Sequence, residues 1–392
     1  MTDLFNPTAE HRALREMVRS FAEREVDPQA EASDQTERFN IELFRKLGDL
    51  GLLGITVEER FGGSGLDPVA AVIAHEELSA ADPGFALAYL AHSMLFANNL
   101  QVNGNDEQRA EHLPDACSGK KVCGMCMSEP GAGTDVLGMQ TTARKKNDRY
   151  VLNGAKMWIT NGAVSDNELG DTYLVYARVE GQPRNQVSMF IVEKGFSGFQ
   201  LGQKIKGKLG MRASTTAELV FEDCEVPKEN LVGAEGGATM CMMRNLEIER
   251  VTLAAMSLGI ARRSIEVMNR YASERLSFGK PLRDFGQIQR HISESYAAFM
   301  AGRAYTYHTA SSMKLDKPGH RLDSDGVKLF TSTMGKEVAD RAIQVLGGYG
   351  YVAEYAVERL WRDAKLLEIG GGTLEAHQKN MCRELRVVER IL

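Results

Sequence analysis

The sequence predicts an α+β protein in three parts: an all-helical N-terminal domain (residues 1–121), a compact antiparallel β domain (residues 122–236) and a C-terminal four-helix bundle (residues 237–392). Two patterns carry this. Apolar residues recur at helical spacing up to about Lys121 and again from Ala238 onward. Between them glycine becomes frequent and β-branched or aromatic residues alternate in short runs, the period of strands with one buried face. Strands do not alternate with helices and no GxGxxG leads a strand into a helix, so a dinucleotide-binding α/β sheet is excluded.

Leu14, Met17, Val18, Phe21 and Val26 mark a first helix, with Thr8 as its cap and Pro28 as its stop. A second spans Ile41 to Leu50, and Asp67-Pro68 opens another that carries Val72, Ile73 and Leu78 to a break at Asp82-Pro83-Gly84. Leu87 to Leu100 follows, then Asp106 to Leu113 ahead of Pro114. Strands are expected at Thr141 to Ala143, Tyr150 to Leu152, Lys156 to Thr160, Tyr173 to Arg178, Val187 to Glu193 and Glu218 to Phe221. Asn147-Asp148 and Asn153-Gly154 read as turns between them. Helices return at Ala238 to about Ser273, Gln287 to Lys314, Ser324 to Leu346 and Arg383 to the end, separated by glycine-rich loops.

The chain of 392 residues has room for two or three sizeable cores, and 43% hydrophobic with 26% charged residues is ordinary globular composition. A net charge of -6 without a basic stripe argues against nucleic acid as the main partner. The most apolar run, Gly84 to Leu100, is interrupted by His92, Asn98 and Asn99 and does not read as a membrane span. No targeting segment is recognisable at the start, so a cytoplasmic address is expected. Six cysteines suggest a reducing compartment. Cys123-Gly-Met-Cys126 falls on an expected strand, without a second pair to complete a metal site, and no metal is expected.

One helical stretch, Met242 to Met256, holds two acids in different surroundings. Glu247 has Arg244 and Arg250 three residues away and reads as an ordinary paired acid. Glu249 has only Asn245, Leu246, Thr252 and Leu253 at helical spacing. A carboxylate without a cation on an apolar stripe takes up a raised pKa and becomes a candidate general base. The pattern equally fits an acid at the end of a groove with its head in water.

Met127-Ser-Glu-Pro-Gly-Ala-Gly-Thr-Asp135 and Trp158-Ile-Thr-Asn-Gly162 are strand ends whose small residues let a flat ligand approach the backbone. Arg275-Leu-Ser-Phe-Gly-Lys280 sets a cation beside a glycine turn, suited to a phosphate. Singly, each is also a plain surface turn. In this order, together with Leu209 to Arg212, Gln344 to Tyr351 and Ile369 to Glu375, they closely resemble the acyl-CoA dehydrogenase family of flavoenzymes over essentially the whole chain.

The resemblance implies FAD as cofactor, with Met127, Ser128, Trp158 and Thr160 around the flavin ring and Thr134 near the thioester-bearing ligand. It implies that Arg275, Phe278, Gln344, Gly347 and Gly348 reach the FAD of a neighbouring subunit, and that Thr373 and Glu375 hold FAD on their own subunit. Arg250 matches an arginine that contacts coenzyme A, and Glu247 stands where relatives often carry Asp. Many members place the catalytic glutamate in the C-terminal loop; here that loop reads Gly370-Gly371-Gly372-Thr373. A minority carry it on the long helix just before the arginine, which is Glu249. The implied reaction is α,β-dehydrogenation of an acyl-CoA, with Glu249 removing the α proton, flavin N5 accepting hydride and the Gly371 amide polarising the thioester carbonyl.

Ala91 to Leu95, Val102 to Asn105 and Ala364 to Gly370 resemble the isovaleryl-CoA dehydrogenase branch, which implies a short branched substrate. Residues 83–93 lack the arginine with which glutaryl-type relatives clamp a second carboxylate. Ser165 to Thr172 is longer than the family's usual turn, either a tolerated insertion or a selectivity element. A cyclic, aromatic or terpenoid acyl-CoA, or an oxygen-using oxidase or monooxygenase, stays open. Electron-transferring flavoprotein is the implied acceptor, and a dimer is the minimum assembly with a homotetramer expected.

Overall fold

The computed structural model describes residues 3–388. Its N-terminal helices are α1 (Ala9–Phe21), α2 (Asp27–Thr36), α3 (Ile41–Asp49), α4 (Pro68–Ala81), α5 (Pro83–His92), α6 (Asn99–Asn103) and α7 (Asp106–Cys117). Thr8 caps α1 and Asp67 caps α4 through their side-chain oxygens. Pro28 does not stop the first helix. A π turn, Ala22–Val26, carries the chain into α2, and Pro28 sits in the first turn directly after that widened backbone. Pro114 likewise lies inside α7; burial of Leu113, Ala116 and Cys117 offsets the lost hydrogen bond.

The middle of the chain forms β1 (Cys123–Cys126), β2 (Thr142–Lys146), β3 (Arg149–Thr160), β4 (Thr172–Val179), β5 (Ser188–Glu193), β6 (Phe199–Lys204), β7 (Thr216–Pro227) and β8 (Leu231–Val232). They line up as β6-β7-β3-β2-β4-β5-β8, with β1 on β4. The sheet is antiparallel except where β4 pairs in parallel with β1 and with β2. Asn147 takes a left-handed conformation in the β2–β3 hairpin, as its turn signal required. Asn153-Gly154 is not a turn: β3 runs through it with a shift of register against β7. A side chain at Gly154 would meet Thr141, so glycine lets the strand bend without breaking. The sequence pattern missed β6, because Phe199 and Leu201 are its only large apolar residues and it lies at the sheet edge.

The last part holds α8 (Ala238–Glu274), α9 (Gly286–Ser312), α10 (Arg321–Leu346), α11 (Val357–Leu367) and α12 (Leu374–Glu384). The helix expected from Arg383 to the end is corrected: Arg383 and Glu384 close α12, and residues 389–392 lie outside the described residues. The unexpected α11 buries Val357, Leu360, Ala364 and Leu367 on one face. The 37-residue α8 packs on α4, α9 and α10, and Val18, Phe44 and Ile73 share one hydrophobic cluster with Val251, Met256 and Val338. No helix among the described residues is long and apolar enough to cross a membrane.

Candidate active site

Glu249 lies on the buried face of α8, and the loop between α11 and α12 closes over it. A Cβ at Gly371 would stand 3.5 Å from Glu249 Oε1 and 2.3 Å from Leu253 Cδ1. Gly371 also has a φ of +66°, so both space and backbone call for glycine there. Glu249 Oε2 is buried with no hydrogen-bond partner. Burial pushes the Glu249 carboxyl up to about 7, against the opposing pull of Arg250 and Lys328.

The loop is tied to α10 by groups that the sequence pattern did not single out. Lys328 Nζ donates to the Gly372 carbonyl at 3.0 Å, and His377 Nε2 lies 3.0 Å from the same oxygen. His377 Nδ1 meets Asp325 Oδ1, which also faces Arg250 at 3.2 Å. Burial lowers Lys328 to about 7, partly opposed by Glu249. The available signal was a lone lysine in the stripe Ser324, Val327, Thr331 and Gly335, all buried in α10.

Glu247 corrects its expectation. It is buried and accepts from His320 N at 3.1 Å rather than pairing with either arginine. Arg244 instead bonds Asn103 and the Asp316 carbonyl, and Arg250 turns to Asp325. Helical spacing placed the arginines near, but packing gave them better acceptors on other elements.

A second wall comes from the ends of β1 and β3, which Met157 N joins to the Ser128 carbonyl at 3.0 Å. Met127, Ser128 and Thr160 are half-buried there, while Trp158 is 62% exposed at a φ of +66°. Met127 packs in the same cluster as Met242 and Leu246 of α8, which brings this wall against the helix of Glu249. Beneath the wall, Lys156 Nζ reaches the Met127 carbonyl at 3.1 Å and Glu129 Oε1 at 2.8 Å. Glu129 also accepts from the Gln140 and Thr141 amides and the Thr141 hydroxyl. Burial would raise the Glu129 carboxyl, but Lys156 and these donors hold it below the usual range. Thr134 is exposed on the adjoining turn. The Ser165 to Thr172 loop is fastened to the surface by Asp166, which pairs with Lys204 and Lys206 at 2.8 and 2.6 Å.

Arg275, Phe278, Gln344, Gly347 and Gly348 are not brought to Glu249. Arg275 follows the end of α8, ~39 Å along the helix at 1.5 Å per residue. There a cavity of about 500 Å³ is lined by Tyr271, Arg275, Leu282, Gly347, Gly348 and Tyr349, and Phe278 stands 96% exposed. Gln344 is exposed on the last turn of α10. Thr373 caps α12, its hydroxyl accepting from Ala376 N at 3.3 Å, and Glu375 is exposed in the first turn.

Three family descriptions match in the same order: acyl-CoA dehydrogenase N-terminal domain over residues 8–120, middle domain over 124–224 and C-terminal domain over 236–385. A mitochondrial isovaleryl-CoA dehydrogenase of Arabidopsis thaliana is 41% identical over 375 residues, covering 95% of this chain and 90% of that one. The solved butyryl-CoA dehydrogenase of Megasphaera elsdenii superposes with a TM-score of 0.91 at 34% identity, over 98% of this chain and 99% of that one. A chain in a structure described as the electron transferring flavoprotein of Acidaminococcus fermentans superposes with a TM-score of 0.92 at 36% identity, over 97% and 99%.

Proposed function

This chain belongs to the acyl-CoA dehydrogenase family, and from that premise we propose that it oxidises a short branched acyl-CoA to the 2-enoyl-CoA with Glu249 as the base. The observation that carries the reading is the buried Glu249 carboxylate with an unpaired oxygen, facing the Gly371 backbone, where a side chain would meet Leu253. A carboxyl near 7 is matched to taking a proton at neutral pH. FAD, when bound, would supply the two-electron acceptor that the reaction needs, chemistry that no side chain provides. The chain's own residues fit such a flat group: an exposed indole at Trp158, the half-buried Met127, Ser128 and Thr160, and Thr373 at a helix start.

Gly371 contributes its amide toward the thioester carbonyl, where an enolate charge develops. Lys328 and His377 hold the next carbonyl, so the loop keeps its amide aimed while Glu249 works. Leu253, itself buried, packs against Gly371 on the same side. Arg250 and Glu247 stand on the same helix toward the coenzyme A side, and Thr134 on the β wall completes the proposed ligand contacts. The ~39 Å between Glu249 and Arg275 is too long for one flavin to bridge within a chain. That separation supports the role the resemblance implies for Arg275, Phe278, Gln344, Gly347 and Gly348, contact with the FAD of a second copy, and a dimer as minimum unit with a homotetramer is the proposed assembly. Electron-transferring flavoprotein is the proposed acceptor, supported by the Acidaminococcus likeness.

The test is anaerobic: the FAD-loaded protein is mixed with a panel of acyl-CoAs and flavin absorbance is followed. Bleaching by isovaleryl-CoA or a near homologue is expected. No bleaching with any thioester would end the dehydrogenase reading.

A further inference from the structure

Away from the flavin walls, the last helix of the N-terminal domain meets the middle sheet at three side chains able to ligate a metal. Glu111 and His112 lie in α7, and Glu193 ends β5. One atom from each, an imidazole nitrogen and two carboxylate oxygens, falls within 4.8 Å of the others, and no other such group occurs among the described residues. His112 is 3% exposed, and its Nδ1 is buried without a partner. Its Nε2 stands 3.8 Å from Glu111 Oε2, too far for a hydrogen bond. Two atoms that each lie ~2.1 Å from one zinc ion can stand up to ~4.2 Å apart, so an ion spans a gap that a proton does not. Glu111 has a side chain 71% exposed, which can swing to close the rest. One cation competes: Lys121 Nζ donates to Glu193 Oε2 at 3.0 Å. That contact takes one oxygen of Glu193, and the Lys121 side chain, 28% exposed, can turn aside into water.

We propose that Glu111, His112 and Glu193 bind a divalent transition-metal ion such as zinc, which pins α7 to the end of β5. The donor set decides the class of ion. An imidazole nitrogen with two carboxylates suits zinc, whereas magnesium and calcium take oxygen alone. No spacing in the sequence announces the site, because Glu193 joins from a distant strand. With three protein ligands, and no acceptor behind His112 Nδ1 to orient the ring, the affinity is that of an open site rather than a closed cysteine one. The role is structural. From α7 the chain passes through Lys121 into β1, whose end carries Met127 and Ser128 of the flavin wall. An ion at this joint fastens the helix that leads into that wall.

The site is independent of the dehydrogenase reading and is measured without turnover. Zinc chloride is titrated calorimetrically into the FAD-loaded full-length protein carrying Cys382→Ser, which removes the exposed thiol as a rival ligand. One equivalent per chain is expected at micromolar concentration. His112→Gln and Glu193→Gln should each weaken that binding by at least ~10-fold. Lys121→Met removes the competing cation and should tighten it by roughly 5-fold, the order of one nearby unit charge. Zinc should also raise the thermal midpoint of the parent protein and leave that of His112→Gln unmoved. If His112→Gln fails to fold, Glu111→Gln, altered at an exposed side chain, carries the comparison. No uptake by the parent, weaker uptake by Lys121→Met, or several weak equivalents shared by every variant overturns the proposal.

Discussion

Glu129 under the β wall and Glu249 on α8 are both buried glutamates beside a buried lysine, yet their carboxyls are shifted in opposite directions. Glu129 receives Lys156, two backbone amides and a hydroxyl, and its charge is held below the usual carboxylate range. Glu249 receives no donor on Oε2, and Lys328 spends its hydrogen bond on the Gly372 carbonyl instead. Burial alone then decides, and it favours the protonated form. Burial does not mark a reactive acid; the count of donors around it does.

Removing each acid's distinguishing feature should give opposite outcomes. Glu249→Gln should slow flavin reduction by roughly 10²- to 10⁴-fold, the worth of a general base, while FAD and acyl-CoA binding persist. Wild-type reduction should climb as pH rises through about 7, because the base must lose its proton first, and the variant should lose that step. Stopped-flow absorbance over a pH series measures both; appreciable turnover by the variant overturns the assignment.

Next in size, Lys156→Met should destabilise the fold by ~3–5 kcal/mol, since it leaves Glu129 buried without its cation. Denaturant midpoints at constant slope report this. A loss below ~1 kcal/mol would mean that the amides and hydroxyl alone suffice for Glu129.

The smallest effect has the opposite sign. Folding raises Glu249 from 4.5 to about 7, so the native chain holds a proton that the unfolded chain has released between those values. Stability contributed by that proton is fully present below 4.5 and is lost as pH rises to about 7. Glu249→Gln removes the penalty and should make the protein more stable than wild type at pH 8 by ~2–3 kcal/mol, with little difference near pH 4. Equal stabilities at both pH values would show that Glu249 is better solvated than its burial implies.

Much of this was legible in the chain itself. Thr8 and Asp67 announced helix starts, Asn147 announced a hairpin, and the neighbours of Glu249 at helical spacing described its apolar stripe. These are local properties, set by residues a few positions apart. Elsewhere packing overrules the local rules: Pro28 and Pro114 do not end their helices, Asn153-Gly154 bends a strand, and α11 lies among glycine loops.

Which distant groups meet is settled by packing. Glu247 abandoned both neighbouring arginines for the His320 amide, and Arg250 chose Asp325. Gly371 came to rest against Glu249 across 122 positions of sequence, and Asn98 came to rest against Asn245. A sequence fixes how each segment curls and which face is apolar, because those follow from φ/ψ preference and periodicity. Whether a buried carboxylate finds a donor depends on how three helices and a loop close around it, and that is a property of the packed whole.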